Sequence, residues 1–175
     1  MAAKTKRERA IAAPNAGVGL TRYQLYQRAW ERISSAAEAG YYLEAITLLE
    51  SILADRLESR ASYLTGQNVG YQNLGPILLL LRKHESIEDF RTVIEEIDAW
   101  REDRNRAVHE MVKFQPGERP TWEEKVDPLP HIVREGKRVL RAFDTLDKRE
   151  RRKNKARLAA TEPAAFGSDH PEAVT

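Results

Sequence analysis

The sequence predicts an all-α protein in which four to five helices pack antiparallel as a bundle. Two observations support this fold class. Apolar residues recur at spacings of three and four positions through most of segment 21–147, which is the period of a helix with one buried face. No stretch shows the two-residue alternation and β-branched enrichment that are typical of a strand.

The first two predicted helices are long and amphipathic. Thr21 is a candidate N-cap of a helix that runs to about Ala39, and Gly40 ends it. A second helix covers roughly 41–64, and the residues of its predicted buried face are Tyr42, Ala45, Ile46, Leu49, Ile52, Leu53, Leu57, Tyr63 and Leu64.

Two further helices follow a glycine-containing loop. A short, strongly apolar helix covers 74–83. The next helix begins at a capping box formed by Ser86 and Asp89. Its apolar pattern continues to about Met111, either as one helix or as two helices that break near Arg104.

The rest of the chain divides into a loop, a last helix and two basic ends. Four prolines and a glycine predict a loop over 115–130, and the last helix covers about 131–147. The predicted domain organisation is a flexible N-terminal segment (1–20), a helical domain (21–147) and a basic, disordered C-terminal tail (148–175). Basic ends can hold a phosphate backbone or an acidic partner, or they can simply be solvated.

Composition excludes several classes of function. The chain has no cysteine, and therefore no disulfide, no cysteine-based zinc site and no thiol nucleophile. The longest apolar run, 76–81, is too short to span a bilayer, so we expect no membrane association and a cytoplasmic protein. There is no Walker phosphate loop, no His-Glu-x-x-His and no EF-hand carboxylate pattern, so neither a metal nor a cofactor is expected.

The strongest candidate for chemistry is the motif Arg-Asn-Arg-Ala-Val-His at 104–109. A permanently cationic arginine and a histidine that exchanges a proton near neutral pH are enough to cleave RNA without a metal. Asn105 and His109 share a helix face, whereas Arg104 and His109 are about 140° apart with about 7.5 Å of rise between them. The last two residues therefore diverge in a straight helix. They should meet only if Arg104 begins a helix or a second copy of the chain contributes.

Three other arginines are candidate substrate-binding residues. Arg106 lies within the motif itself. Arg56 and Arg60 lie at the edge of the buried face of the second helix. Their guanidinium groups are expected either to reach water above the core or to point into a shared polar cleft. Among the tryptophans, Trp30 and Trp100 are predicted to be core residues.

The motif at 104–109 resembles the signature of the HEPN superfamily, which is an arginine, a polar residue that is often asparagine, a few variable residues and then histidine. The helix order over roughly 22–147 is also similar to that fold. The resemblance implies a metal-independent endoribonuclease that acts as a homodimer with its two motifs facing each other.

The same resemblance implies roles for the motif residues. His109 is expected to act as general base on the ribose 2′-OH or as acid to the leaving 5′-oxygen, and Arg104 to stabilise the phosphorane. Asn105 is expected to orient the backbone or His109, and the product to be a 2′,3′-cyclic phosphate. HEPN proteins serve in toxin–antitoxin, antiviral defence and RNA-processing systems, so an antitoxin or other neutralising protein is an expected partner. Many members are instead non-catalytic interaction or RNA-binding modules.

Overall fold

The computed structural model describes residues 18–161, and these residues form helices and connecting loops without a strand. The elements in chain order are α1 (Val18–Glu38), α2 (Tyr42–Thr65), α3 (Leu74–His84), α4 (Glu88–His109), α5 (Trp122–Val126) and α6 (Leu129–Thr161). Five of these helices are long enough to pack as a bundle, and the predicted all-α fold is confirmed.

Helix α2 is the centre of the bundle, where it packs against α1, α3 and α6, while α4 packs mainly on α6. Ion pairs across these contacts show the directions of the helices. Helix α1 runs antiparallel to α2, and α4 runs antiparallel to α6. Helices α2 and α6 run in the same direction, because residues farther along α2 contact residues farther along α6.

The core is built mostly from the apolar stripes that the sequence pattern marks, but Tyr63, which was predicted on the buried face of α2, is 62% exposed. Phe90 and Phe143 meet edge to face with ring centroids 5.5 Å apart, which joins α4 to α6. Trp100 is buried, and its indole Nε1 donates a hydrogen bond to the carbonyl of Ile132 at 2.8 Å. This second contact fixes the C-terminal half of α4 on α6. The prediction that Trp100 is a core residue is confirmed, whereas Trp30 is half-buried and packs against the core from outside it.

The approach of Trp100 to α6 depends on Gly136. A Cβ atom at that position would lie 2.8 Å from Trp100 Nε1 and 3.0 Å from a methyl carbon of Leu49. Atoms this close overlap, so the glycine provides the space that the indole occupies.

Several boundaries differ from the prediction. Helix α1 begins at Val18, so Thr21 is a residue of its first turns and not its cap. Helix α6 begins at Leu129 and continues to Thr161, so disorder of the basic tail from 148 is wrong as far as Thr161. The extension is held by contacts with other helices, including the Arg149–Asp89 ion pair. The remaining residues of the predicted N-terminal segment and tail lie outside the described range.

Polar side chains define the start of α4, for which the prediction named the wrong cap, and the start of α5, which the prediction missed. The Ser86–Asp89 capping box does not form. Instead the buried carboxylate of Glu85 accepts hydrogen bonds from the backbone N–H groups of Ser86 and Ile87 at 3.1 and 3.0 Å. Helix α5 interrupts the predicted loop, and Thr121 with Glu124 forms a full capping box at its start.

No helix within 18–161 combines the length and the apolar character needed to cross a membrane.

Candidate functional site

The 104–109 motif occupies the last two turns of α4, which is a single helix and does not break near Arg104. Arg104 therefore lies well inside the helix, and His109 is its last residue. The Trp100 contact four residues earlier attaches this part of α4 to α6. The motif thus sits on a supported helix end rather than on a loop.

Arg104 and His109 meet within this one helix. Arg104 Nη1 lies 3.4 Å from His109 Nε2. The prediction that they need a helix start or a second copy is therefore wrong. Helical angles describe where the Cβ atoms point, whereas the long arginine side chain spans the remaining separation.

Asn105 binds Arg104 and not His109. Its side-chain oxygen accepts a hydrogen bond from Arg104 Nη1 at 2.6 Å. This contact differs from the role that the HEPN resemblance implies, because the amide here orients the guanidinium group. One nitrogen, Nη1, consequently faces both the amide of Asn105 and the imidazole of His109.

Glu50, on α2, is the site residue that the sequence did not reveal. Its carboxylate forms an ion pair with Arg104 Nη2, and both side chains are mostly buried, with exposed fractions of 23% for Glu50 and 12% for Arg104. Burial lowers the pKa of Arg104 from its ordinary value, because desolvation disfavours the charged form. No local pattern marks Glu50, since its partner is far away along the chain.

The two reactive groups differ in their access to solvent. His109 is exposed, whereas Arg104 lies behind it and its Nε is buried without a hydrogen-bond partner in the described structure. In the neutral imidazole, Nε2 can accept from Nη1 when the ring proton is on Nδ1. A phosphate oxygen that replaces this contact would lie beside both Nη1 and Nε2.

The segment after His109 is fastened to α5. Lys125 donates from Nζ to the backbone carbonyls of Glu110 and Lys113, at 3.4 and 2.8 Å. Phe114 and Trp122 in this region are exposed. The segment that follows His109 is therefore held against α5, and it exposes aromatic side chains to solvent.

Arg106 lies outside the Arg104–His109 contact. It is 68% exposed and pairs with Asp103 one turn earlier. It can reach a substrate only from the open surface of α4.

Arg56 and Arg60 lie elsewhere on the molecule. Arg60 is buried and makes a bidentate contact with Glu85, at 2.8 and 3.0 Å, so the expectation that its guanidinium reaches water is wrong. Arg56 is half-buried and pairs with Asp144 at 3.0 Å. Burial raises the pKa of Asp144 above its ordinary value, although Arg56 opposes this shift. Ten residues of α2 separate Glu50 from Arg60, which is about 15 Å along the helix.

Both arginines line a cleft between α1, α2 and the C-terminal half of α6, which has a volume of about 870 Å³. It is spatially distinct from the Arg104–His109 contact.

Metal-ligating residues do not converge in the part of the chain that the structure describes, where no group of three or more His, Cys, Asp or Glu side chains comes together.

Comparison of the chain with protein-family models, with curated proteins and with solved structures returns no significant match.

Proposed function

We propose that this protein is a metal-independent endoribonuclease of the HEPN type, with His109 as the acid–base group and Arg104 as the electrostatic group. The observation that carries the proposal is the 3.4 Å approach of Arg104 Nη1 to the exposed His109 Nε2. A cation and an imidazole at this distance can act on one phosphodiester.

The reaction would use the substrate's own hydroxyl as nucleophile. The 2′-oxygen attacks the neighbouring phosphorus, and His109 Nε2 takes the hydroxyl proton. Arg104 Nη1 stabilises the added negative charge of the phosphorane. The bond from phosphorus to the 5′-oxygen then breaks, and an imidazolium protonates that oxygen. The products are a 2′,3′-cyclic phosphate and a free 5′-hydroxyl.

Glu50 and Asn105 would act as positioning residues in this reaction. They hold two different nitrogens of the same guanidinium, Nη2 and Nη1 respectively. A guanidinium fixed in advance needs less reorganisation when charge develops on the phosphate. In a HEPN-type homodimer, each subunit would contribute one Arg104 that Glu50 and Asn105 already hold in place.

Cleavage in the presence of EDTA tests the proposal. Wild-type protein should cut single-stranded RNA, while His109→Ala and Arg104→Ala should each lose at least about a hundredfold in rate. The control is His131→Ala, because Arg134 lies 3.0 Å from His131 in a comparable exposed pair on α6. The control should cut like wild type. Intact RNA with wild-type protein, or equal cutting by all variants, would contradict the proposal.

A second candidate is a non-catalytic HEPN-like interaction module. The observation that favours it is the Glu50–Arg104 ion pair, which already neutralises the cation in a largely buried place. In that case Arg104 stabilises the contact between α2 and α4, and His109 belongs to an interface. The same assay separates the two candidates, since this module leaves RNA uncut.

The HEPN resemblance also supports a biological setting for the enzyme. An RNA-cleaving toxin or antiviral effector needs a neutralising protein until it acts. The exposed His109 is the surface that such an antitoxin would cover.

A further inference from the structure

The 870 Å³ cleft between α1, α2 and α6 has a chemically distinctive lining. It carries hydroxyl and amide groups together with cations and aromatic rings. The residues on which the inference depends are Tyr23, Ser59, Tyr63, Asn68, Arg151 and Lys155.

The buried cations of the cleft are already paired with carboxylates, whereas those on α6 are exposed. Arg56 and Arg60 are paired with carboxylates at 3.0 and 2.8 Å. Arg151 is 61% exposed and pairs with Asp147 through Nε, while its Nη2 lies 3.5 Å from Ser59 Oγ. Lys155 is exposed one turn farther along the same helix. A ligand that enters the cleft therefore meets positive charge first on α6.

Tyr63 provides a fixed aromatic surface beside these cations. Its hydroxyl accepts a hydrogen bond from Asn154 Nδ2 at 3.1 Å, which ties the ring to α6. The guanidinium carbon of Arg60 lies 5.5 Å from the ring centroid, yet Tyr63 remains 62% exposed. Tyr23, on α1, is 59% exposed at the same cleft. Rings held next to cations are the combination that binds single-stranded nucleic acid.

Helix α6 carries further exposed cations outside the cleft. Arg152 and Arg157 lie about 100° to either side of the helix face that lines the cleft. A compact anion would contact only the cations in the cleft, whereas a longer polyanion could also reach these flanking cations. Their presence favours a strand over a small ligand.

We propose that the α1–α2–α6 cleft binds single-stranded RNA, with bases stacked on Tyr63 and Tyr23 and phosphates held by Arg151 and Lys155. The choice of RNA as ligand rests on the proposed nuclease function. The binding site itself does not include Arg104 or His109. The cleft would thus hold the strand at a distance from the scissile bond and contribute affinity without taking part in the reaction.

Binding of a labelled oligoribonucleotide to the His109→Ala protein in EDTA tests this site separately from cleavage. Adding Tyr63→Ala should weaken binding about tenfold. Adding Arg151→Ala with Lys155→Ala should also weaken binding, and it should reduce the slope of log affinity against log salt concentration by about 1–2. Matched controls are Tyr41→Ala, whose tyrosine is 63% exposed outside the cleft, and Arg134→Ala, an exposed arginine elsewhere on α6. Both controls should bind like their parent.

Three results would overturn the proposal. The first is that the cleft variants bind RNA as tightly as the parent while circular dichroism shows an intact fold. The second is that the control variants weaken binding as much as the cleft variants do. The third is that adenosine monophosphate binds and depends on Tyr63 while the oligoribonucleotide does not, which would make the ligand a free nucleotide. Failure of RNA cleavage by the wild type leaves this binding test unchanged, so the two proposals fail separately.

Discussion

At the scale of single residues, the candidate site depends on how Arg104 is held. Glu50 and Asn105 fix the guanidinium from two directions, and His109 remains exposed in front of it. A guanidinium that is only 12% exposed needs a partner, because an unpaired charge in that position loses its hydration. The Glu50–Arg104 ion pair therefore also stabilises the packing of α2 against α4.

Glu50→Ala should lower the free energy of unfolding by about 1–3 kcal/mol, because it leaves Arg104 without its carboxylate. Urea unfolding at pH 7 measures this loss. In an Arg104→Ala background the same change should cost much less, since the partner is already absent. Equal losses in both backgrounds would show that Glu50 and Arg104 are not coupled.

The residue scale is also where the sequence was least informative. The motif at 104–109 could be found directly, because its residue types stand close together. Glu50 could not be found, since it joins the site only through the packing of α2 against α4. The Arg104–His109 contact was missed for a different reason, which is that helical spacing predicts backbone directions and not the reach of a long side chain.

At the scale of helices, the contact between α4 and α6 carries the motif. Gly136→Ala should destabilise the protein by about 1–3 kcal/mol, because the new methyl group overlaps Trp100. The higher helix propensity of alanine offsets only about 1 kcal/mol of this cost. Gly19→Ala is the matched control, since nothing lies within 4 Å of a Cβ there, and it should lose no stability. Thermal unfolding of both variants decides the point, and an equally stable Gly136 variant would contradict the packing account.

The contact between α3 and α4 should be sensitive to pH through Arg82. Burial alone raises the pKa of Asp98, but hydrogen bonds from Arg82 and Arg101 bring it below its ordinary value, and Arg82 also lowers the pKa of Glu95. A lowered carboxyl pKa adds stability above the unfolded-state pKa, and that stability is lost as the pH falls through the folded-state value.

Arg82→Ala should therefore reduce stability by about 1 kcal/mol or less at pH 7, because the network is partly exposed. The difference from wild type should shrink as the pH falls below the ordinary carboxyl pKa and disappear once both carboxylates are protonated. Urea unfolding at pH 7 and at a series of acidic pH values measures it. A penalty that stays constant or grows in acid would rule out this ion-pair network as the cause.

The sequence predicts which segments are helical more readily than it predicts where each helix ends. The apolar period predicts all five long helices, but it ends near Asp147, where α6 does not. Beyond that residue α6 is held by polar contacts such as Arg149–Asp89 and Asn154–Tyr63, which no local pattern contains. Helix α5 could have been found from its capping residues, Thr121 and Glu124.

At the scale of the whole molecule, each copy of the chain already contains an assembled Arg104–His109 pair. A HEPN-type homodimer would thus hold two complete pairs rather than two shared ones. Co-expression of His109→Ala and Arg104→Ala subunits with different tags should yield mixed dimers that remain inactive. Recovery of about a quarter or more of the wild-type rate would show that one subunit's arginine serves the other's histidine.

The bundle also separates two surfaces that the account assigns to RNA. The motif lies at the C-terminal end of α4, and the α1–α2–α6 cleft lies about 15 Å farther along α2. Binding and cleavage should therefore respond to different substitutions.

The chemistry of the cleaved ends tests the central claim most directly. Mass spectrometry of RNA fragments made by wild-type protein in EDTA should find 2′,3′-cyclic phosphates and 5′-hydroxyls, and a 2′-deoxy nucleotide at the cut position should block cleavage. Fragments that carry 5′-phosphates, or cleavage that survives the 2′-deoxy substitution, would contradict a reaction driven by Arg104 and His109.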